Sequence, residues 1–117
     1  MQIRIPESTG HIAVEIHSYW EADKFQSQKA DIDRLFSNIS NYLQERLEVP
    51  VIIGEWGGGT SEDSDANVRF AYYFSSKAKA GGVAAFWWMG LSDGEDRAVP
   101  KWTMPKTKNA IVQAYGF

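Results

Sequence analysis

The sequence predicts an α/β fold, a single domain of three strand–helix units with parallel strands, and three observations predict it. Short apolar or alternating stretches take turns with longer stretches whose apolar residues recur at three and four positions, the periods of strand and helix. The connections between successive strands are long enough for right-handed parallel crossovers. Each predicted strand also ends in reactive or stacking residues, the pattern expected where ligands meet the carboxyl ends of α/β strands.

The elements follow in order. Residues 11–19 alternate, with Ile12, Val14, Ile16 and Ser18 on one side and Ala13, Glu15, His17 and Tyr19 on the other, which is strand periodicity. Over residues 31–47 the apolar set Ile32, Leu35, Phe36, Ile39, Tyr42, Leu43 and Leu47 forms a helical stripe, with Asp31 or Ser27 expected to cap its start. Residues 49–55 open with the apolar run Val49-Pro50-Val51-Ile52-Ile53, as expected of a parallel strand covered on both faces, and Pro50 fits only at its beginning. A glycine-rich and acidic stretch, residues 57–65, reads as a flexible loop. A second helix is expected over 66–80, capped by Ser64 or Asp65 and stopped at Gly81-Gly82. Residues 83–89 form a third apolar strand, 90–103 a long polar loop, and 105–115 a last helix with Pro105 in its first turn and Gly116 at its close.

Composition narrows the chemistry. In 117 residues, 44% hydrophobic content is ample for a core and excludes disorder. A net charge of -3 without blocks of like charge argues against nucleic acid or an anionic membrane as partner, so an uncharged ligand fits better. No run approaches the roughly 20 apolar residues of a membrane span, and Met1-Gln2-Ile3-Arg4-Ile5-Pro6 lacks the apolar centre of a signal peptide. With no cysteine, disulfides and thiolate metal sites are excluded, and His11 and His17 are too few for a histidine zinc site. No metal and no cofactor are expected. Five Trp, five Tyr and six Phe leave two uses open, a well-filled core or a sugar site in which pyranose rings stack on aromatic faces.

The strand ends hold the candidates: His17-Ser18-Tyr19-Trp20, Glu55-Trp56-Gly57 and Trp87-Trp88. Strict alternation puts Glu55 on the side of Val51 and Ile53, which would face the interior of a barrel. A carboxylate beside tryptophans and a histidine–tyrosine pair suits attack on an anomeric carbon, where a nearby negative charge stabilises an oxocarbenium-like transition state. Tyr19 and His17 share a strand face, so that Tyr19 is placed to donate a hydrogen bond that aims Glu55, and His17 to bond a sugar hydroxyl. Glu15, on the same face, reads as structural. Trp87 and Trp88 point to opposite sides of their strand, Trp88 being the one expected in the cleft. Gly57-Gly58-Gly59 lacks the Lys-Ser/Thr of a phosphate loop, and Asp63, Asp65, Asp93, Glu95 and Asp96 lack EF-hand spacing and read as solvated loop charge.

Taken together, His17-Ser18-Tyr19, Pro50-Val51-Ile52-Ile53-Gly54-Glu55-Trp56-Gly57 and Gly82-Val83-Ala84-Ala85-Phe86-Trp87-Trp88 resemble the sixth, seventh and eighth strands of glycoside hydrolase family 5, the (β/α)8 endoglucanases. The resemblance covers about residues 11–117. It implies three C-terminal βα units of a TIM barrel, whose full eight units need roughly 250 residues. It implies a retaining hydrolase of β-1,4-glucan in the parent protein, with Glu55 as nucleophile. His17 and Tyr19 would contact substrate and orient Glu55, and Trp88, with Trp87 and Trp56 nearby, would carry the sugar. The family's acid/base glutamate lies in an Asn-Glu dipeptide after the fourth strand, and its arginine and second histidine on earlier strands. None of these has a counterpart in this sequence, and Met89 stands where the family often has Asp or Ser. The isolated chain is therefore expected to be nearly inactive and to need the missing N-terminal half of the barrel.

Two rival readings lead elsewhere. A non-catalytic carbohydrate-binding module would tolerate Glu55→Gln, and an unrelated open-sheet domain would carry helices on both faces of its sheet. A barrel piece instead has them on one face, leaving Val51 and Ile53 exposed and inviting self-association. A polysaccharide substrate implies a secreted or periplasmic parent.

Overall fold

The computed structural model describes residues 11–88, 91 and 101–117. Expectations that fall on residues 1–10, on Met89, Asp93, Glu95 and Asp96, and on most of the 90–103 connection lie outside the described residues.

The chain runs β1 (Val14–Tyr19), a 3-10 turn (Ala22–Lys24), α1 (Phe25–Asn38), a π-helical segment (Ile39–Arg46), β2 (Val51–Gly57), α2 (Asp65–Ala80), β3 (Ala84–Trp87) and α3 (Pro105–Tyr115). The three strands form one parallel sheet in the order β1-β2-β3. These are consecutive βα units of the kind that build a (β/α)8 barrel.

Helix starts follow local chemistry where local chemistry is available. At α2, the Ser64 side chain accepts from the Asn67 N–H, Asp65 lies in the first turn and Lys77 and Lys79 in the last, all in keeping with the helix dipole. Pro105 opens α3 and Gly116, at φ 81°, closes it in the left-handed conformation that glycine adopts without a Cβ clash. The helix expected over 31–47 begins earlier than predicted. Phe25 is already helical, continuing from the 3-10 turn, and neither Asp31 nor Ser27 caps it. Phe25 decides the boundary: buried against Phe70 and Tyr73, it draws the first turn onto α2. After Asn38 the bonding widens, as Leu47 N–H reaches the Tyr42 carbonyl at 3.1 Å, five residues back.

One face of the sheet is covered. Val51, Ile53 and Trp56 from β2 meet Ile32, Phe36, Ile39 and Leu43 from the first crossover and Phe70, Phe74 and Ala78 from α2. Trp56 stacks on Phe74 at 4.4 Å and 12°, with Trp87 edge-on at 4.9 Å. Most of the aromatic excess is thus core. The opposite face carries Glu15, His17, Tyr19, Ile52, Phe86 and Trp88, all exposed. Among the described residues helices lie on a single face, as a barrel requires and an open sheet does not.

Two strand-side expectations need correction, for one reason. The β1–β2 register pairs Ile16 with Ile53 but His17 with Glu55, so Gly54 is an extra residue, and the β2–β3 register shifts at the same place, between Ile53 and Trp56. This bulge resets the alternation. Glu55 therefore joins Ile52 and His17 on the open face, opposite Val51 and Ile53, which are buried and not exposed. Trp56 turns under the helices.

Candidate functional site

The open face reaches chemistry where the strands end. Glu55 follows the bulge, and both neighbours on β1 lean toward it. The Tyr19 hydroxyl donates to Glu55 Oε2, and His17 Nδ1 lies 3.4 Å from the same oxygen. The other side of the imidazole faces a second carboxylate, Glu15 Oε1, 3.4 Å from Nε2. The Glu55 carboxylate accepting its proton, then desolvation and the Glu55 charge, push the Tyr19 phenol up to about 12. Tyr19 is consequently a hydroxyl donor throughout the neutral range.

The backbone holds these ends together past the last strand residues. Trp20 N–H bonds the Gly57 carbonyl at 3.0 Å, Ala22 N–H the Gly58 carbonyl at 2.8 Å and Trp88 N–H the Trp56 carbonyl at 2.7 Å. Close approach explains the glycines. A Cβ on Gly57 would sit 2.5 Å from the Trp88 carbonyl oxygen, and one on Gly58 2.6 Å from Asn67 Oδ1 and 2.9 Å from the Ala22 Cβ.

Tyr19, Trp87 and Trp88 border an open cavity of about 260 Å³ whose other wall is Gly59, Thr60 and Ser61. Trp88 and Tyr19 are each about half exposed, at 52% and 53%. The two adjacent tryptophans differ as alternation requires: Trp87 is half-buried against Trp56 and Phe70, while Trp88 stands free on the open face. Five of the six residues singled out from sequence, His17, Tyr19, Glu55, Trp87 and Trp88, meet at this end of the sheet. Trp56 does not. It is fully buried, and its indole N–H has no hydrogen-bond partner among the described residues, so its expected contact with sugar is withdrawn.

Sequence reading missed the wall made by Gly59, Thr60 and Ser61, and it missed Asp63. Asp63, expected to be solvated loop charge, accepts from Lys106 N–H at 2.8 Å and from Thr107 N–H and Oγ at 2.7 Å, capping α3 across the fold. Burial pushes its carboxyl up, but these donors outweigh it and hold the group below its ordinary range. Its partners lie 43 and 44 residues on, beyond the reach of any local signal. Among the described residues no group of three or more acidic or histidine side chains is arranged to hold a metal ion.

Comparison with known proteins identifies the family. The family model for "Cellulase (glycosyl hydrolase family 5)" matches residues 1–93. Endoglucanase B of Ruminococcus albus is 23% identical over 121 aligned positions, covering 89% of this chain and 29% of the relative. Among solved structures, a GH5-4 broad specificity endoglucanase from an uncultured bacterium superposes with a TM-score of 0.79 at 31% identity, covering 98% of this chain and 34% of that one. A family 5 enzyme of Prevotella bryantii, solved in complex with a xyloglucan tetradecasaccharide, shares the fold with a TM-score of 0.67 at 23% identity over 98% of this chain and 38% of that one. The chain thus spans about a third of the length of these relatives. Its parallel strands with helices correspond to part of their TIM barrel, and the chain belongs to the cellulase family, glycosyl hydrolase family 5.

Proposed function

We propose that this chain supplies the nucleophile of a retaining β-1,4-glucanase, Glu55 being the attacking carboxylate. The observation that carries this reading is the convergence of the Tyr19 hydroxyl and His17 Nδ1 on Glu55 Oε2 at the carboxyl end of β2. Two partners on one oxygen fix the carboxylate's rotation and leave the other oxygen to attack. That oxygen would bond the anomeric carbon as the glycosidic C–O bond breaks, and water would then release the sugar from Glu55. Protonating the leaving oxygen requires a second carboxyl about 5 to 5.5 Å from the first. In this proposal it comes from the rest of the barrel, whose strands would also cover the open sheet face. Without them the chain should hydrolyse glucan poorly, since losing a general acid alone costs on the order of 100- to 10,000-fold.

The substrate class is a β-1,4-linked glucan backbone, plain or branched, in keeping with relatives described as broad specificity endoglucanases and with the xyloglucan complex. Trp88 and Tyr19, with the Thr60 and Ser61 hydroxyls opposite, offer one apolar and one polar wall for a pyranose. Such polymers lie outside the cell membrane, so the parent is proposed to be secreted or periplasmic.

A substrate that needs no acid tests the nucleophile directly. Dinitrophenyl β-cellobioside fluorinated beside the anomeric carbon should glycosylate the chain once, the Glu55–carbon bond forming as dinitrophenolate departs unprotonated. Mass spectrometry should place the added sugar on Glu55, and Glu55→Gln should abolish it. Attachment elsewhere, or none at saturating reagent, would sink the assignment. A carbohydrate-binding module would bind cello-oligosaccharide equally well with either residue.

A further inference from the structure

We propose that Glu15 is a positioning residue, whose carboxylate anchors His17 Nε2 and so aims His17 Nδ1 at Glu55. The inference rests on the reading of Glu55 as nucleophile. Three observations carry it. Glu15 and His17 are two residues apart on β1 and share its open face, so their side chains stand roughly 7 Å apart at the backbone and lean together above it. Each imidazole nitrogen then faces a carboxylate oxygen at 3.4 Å, Glu15 Oε1 on one edge and Glu55 Oε2 on the other. The third observation is the bulge residue. An ideal Cβ on Gly54 would fall 1.8 Å from Glu15 Oε1 and 2.7 Å from its Cδ.

His17 is half exposed, and the torsion that turns an imidazole about Cβ–Cγ has a broad, shallow profile. A ring tethered on one edge only would swing away from Glu55 for part of the time. With both ring nitrogens protonated, each can donate, so that a second acceptor across the ring pins it, and the missing side chain at Gly54 is the space in which that acceptor lies. The bulge therefore does two things at one residue: it turns Glu55 onto the open face and clears a seat for the Glu15 carboxylate. Glu15 touches no reacting atom in this arrangement and acts through His17.

The test uses the 117-residue chain, with 15N-labelled histidine and the fluorinated dinitrophenyl cellobioside as probe. Glu15→Ala should shift the His17 ring nitrogen resonances while His11, the other histidine, stays unchanged, and should slow sugar transfer to Glu55 by on the order of 10-fold. Glu15→Gln keeps an acceptor oxygen for the ring and should restore most of the rate. Gly54→Ala displaces the carboxylate instead of deleting it, and should match Glu15→Ala, the double variant being no slower than either single one. Labelling of the wild-type chain with no response to Glu15→Ala, in rate or in the His17 resonances, overturns this proposal alone. If the wild-type chain takes no label at Glu55, the nucleophile reading falls and this proposal falls with it.

Discussion

At the scale of single residues, the phenols carry the clearest electrostatic signature. Tyr73 is pushed up to about 12, by burial first and then by donation to Asp33, just as donation to Glu55 pushes up Tyr19. Both start from an ordinary value of 10.0. Because the folded state keeps these protons more tightly, their contribution to stability is complete below pH 10.0 and is lost as pH rises toward about 12. Urea unfolding across that window should show stability falling with pH, and Tyr19→Phe or Tyr73→Phe should each flatten the fall. Much of the candidate site's placement was legible at this scale. Glu55, His17, Tyr19 and Trp88 were visible because strand ends in α/β folds face ligands and these side chains have few other uses there. Trp56, the strand neighbour of Glu55, points to the opposite face with or without the bulge; the side of Val51 and Ile53 was the part not legible, because one glycine that does not pair reverses the side of everything after it.

At the scale of elements, the order of strands and helices was readable, but the joints between them were set by contacts distant in sequence. Pro105 and Gly116 mark the ends of α3 from its own residues, yet its N-terminal donors are satisfied by Asp63 from the loop after β2. Asp63→Ala should cost about 1–2 kcal/mol in unfolding free energy, and Asp63→Asn less, as one oxygen acceptor survives. Its carboxyl is held below the ordinary 3.8, so this contribution is present above that pH and disappears as pH falls through the lowered value. Acid unfolding of Asp63→Ala should therefore begin from a lower stability yet respond less steeply to pH than the wild type. Since the same loop carries Thr60 and Ser61, the cap also ties the rim of the cavity to α3. The start of α1 was less legible, because the helical stripe begins at Ile32 whereas Phe25 is held in place by α2.

At the scale of the whole molecule, the described residues cover the sheet on one side only. Ile52, Phe86 and Trp88 stand 37%, 59% and 52% exposed on the open face, with β1 and β3 at the sheet's two edges. An apolar face of this kind, uncovered in water, favours association. Sedimentation of the isolated chain should show dimers or larger species, and Phe86→Asp should return it to monomer with its circular dichroism unchanged. A wild-type chain that stays monomeric at high concentration would show that this face tolerates water. The sequence already placed the helices on a single face. It misjudged which residues that leaves in water, Val51 and Ile53 having been expected where Ile52 and Phe86 stand.

The bulge at Gly54 makes the position of Glu55 a matter of reading frame. Deleting that one glycine would restore even pairing and exchange neighbours, sending a carboxylate toward Phe70 and Phe74 and an indole into the cleft. Such a deletion removes no atom of the proposed nucleophile or its partners, and is expected to destabilise the fold and to abolish labelling of Glu55 at once. Insertions in the loop beyond Gly58 leave the frame untouched and would act instead through the wall at Thr60 and Ser61 and the Asp63 cap.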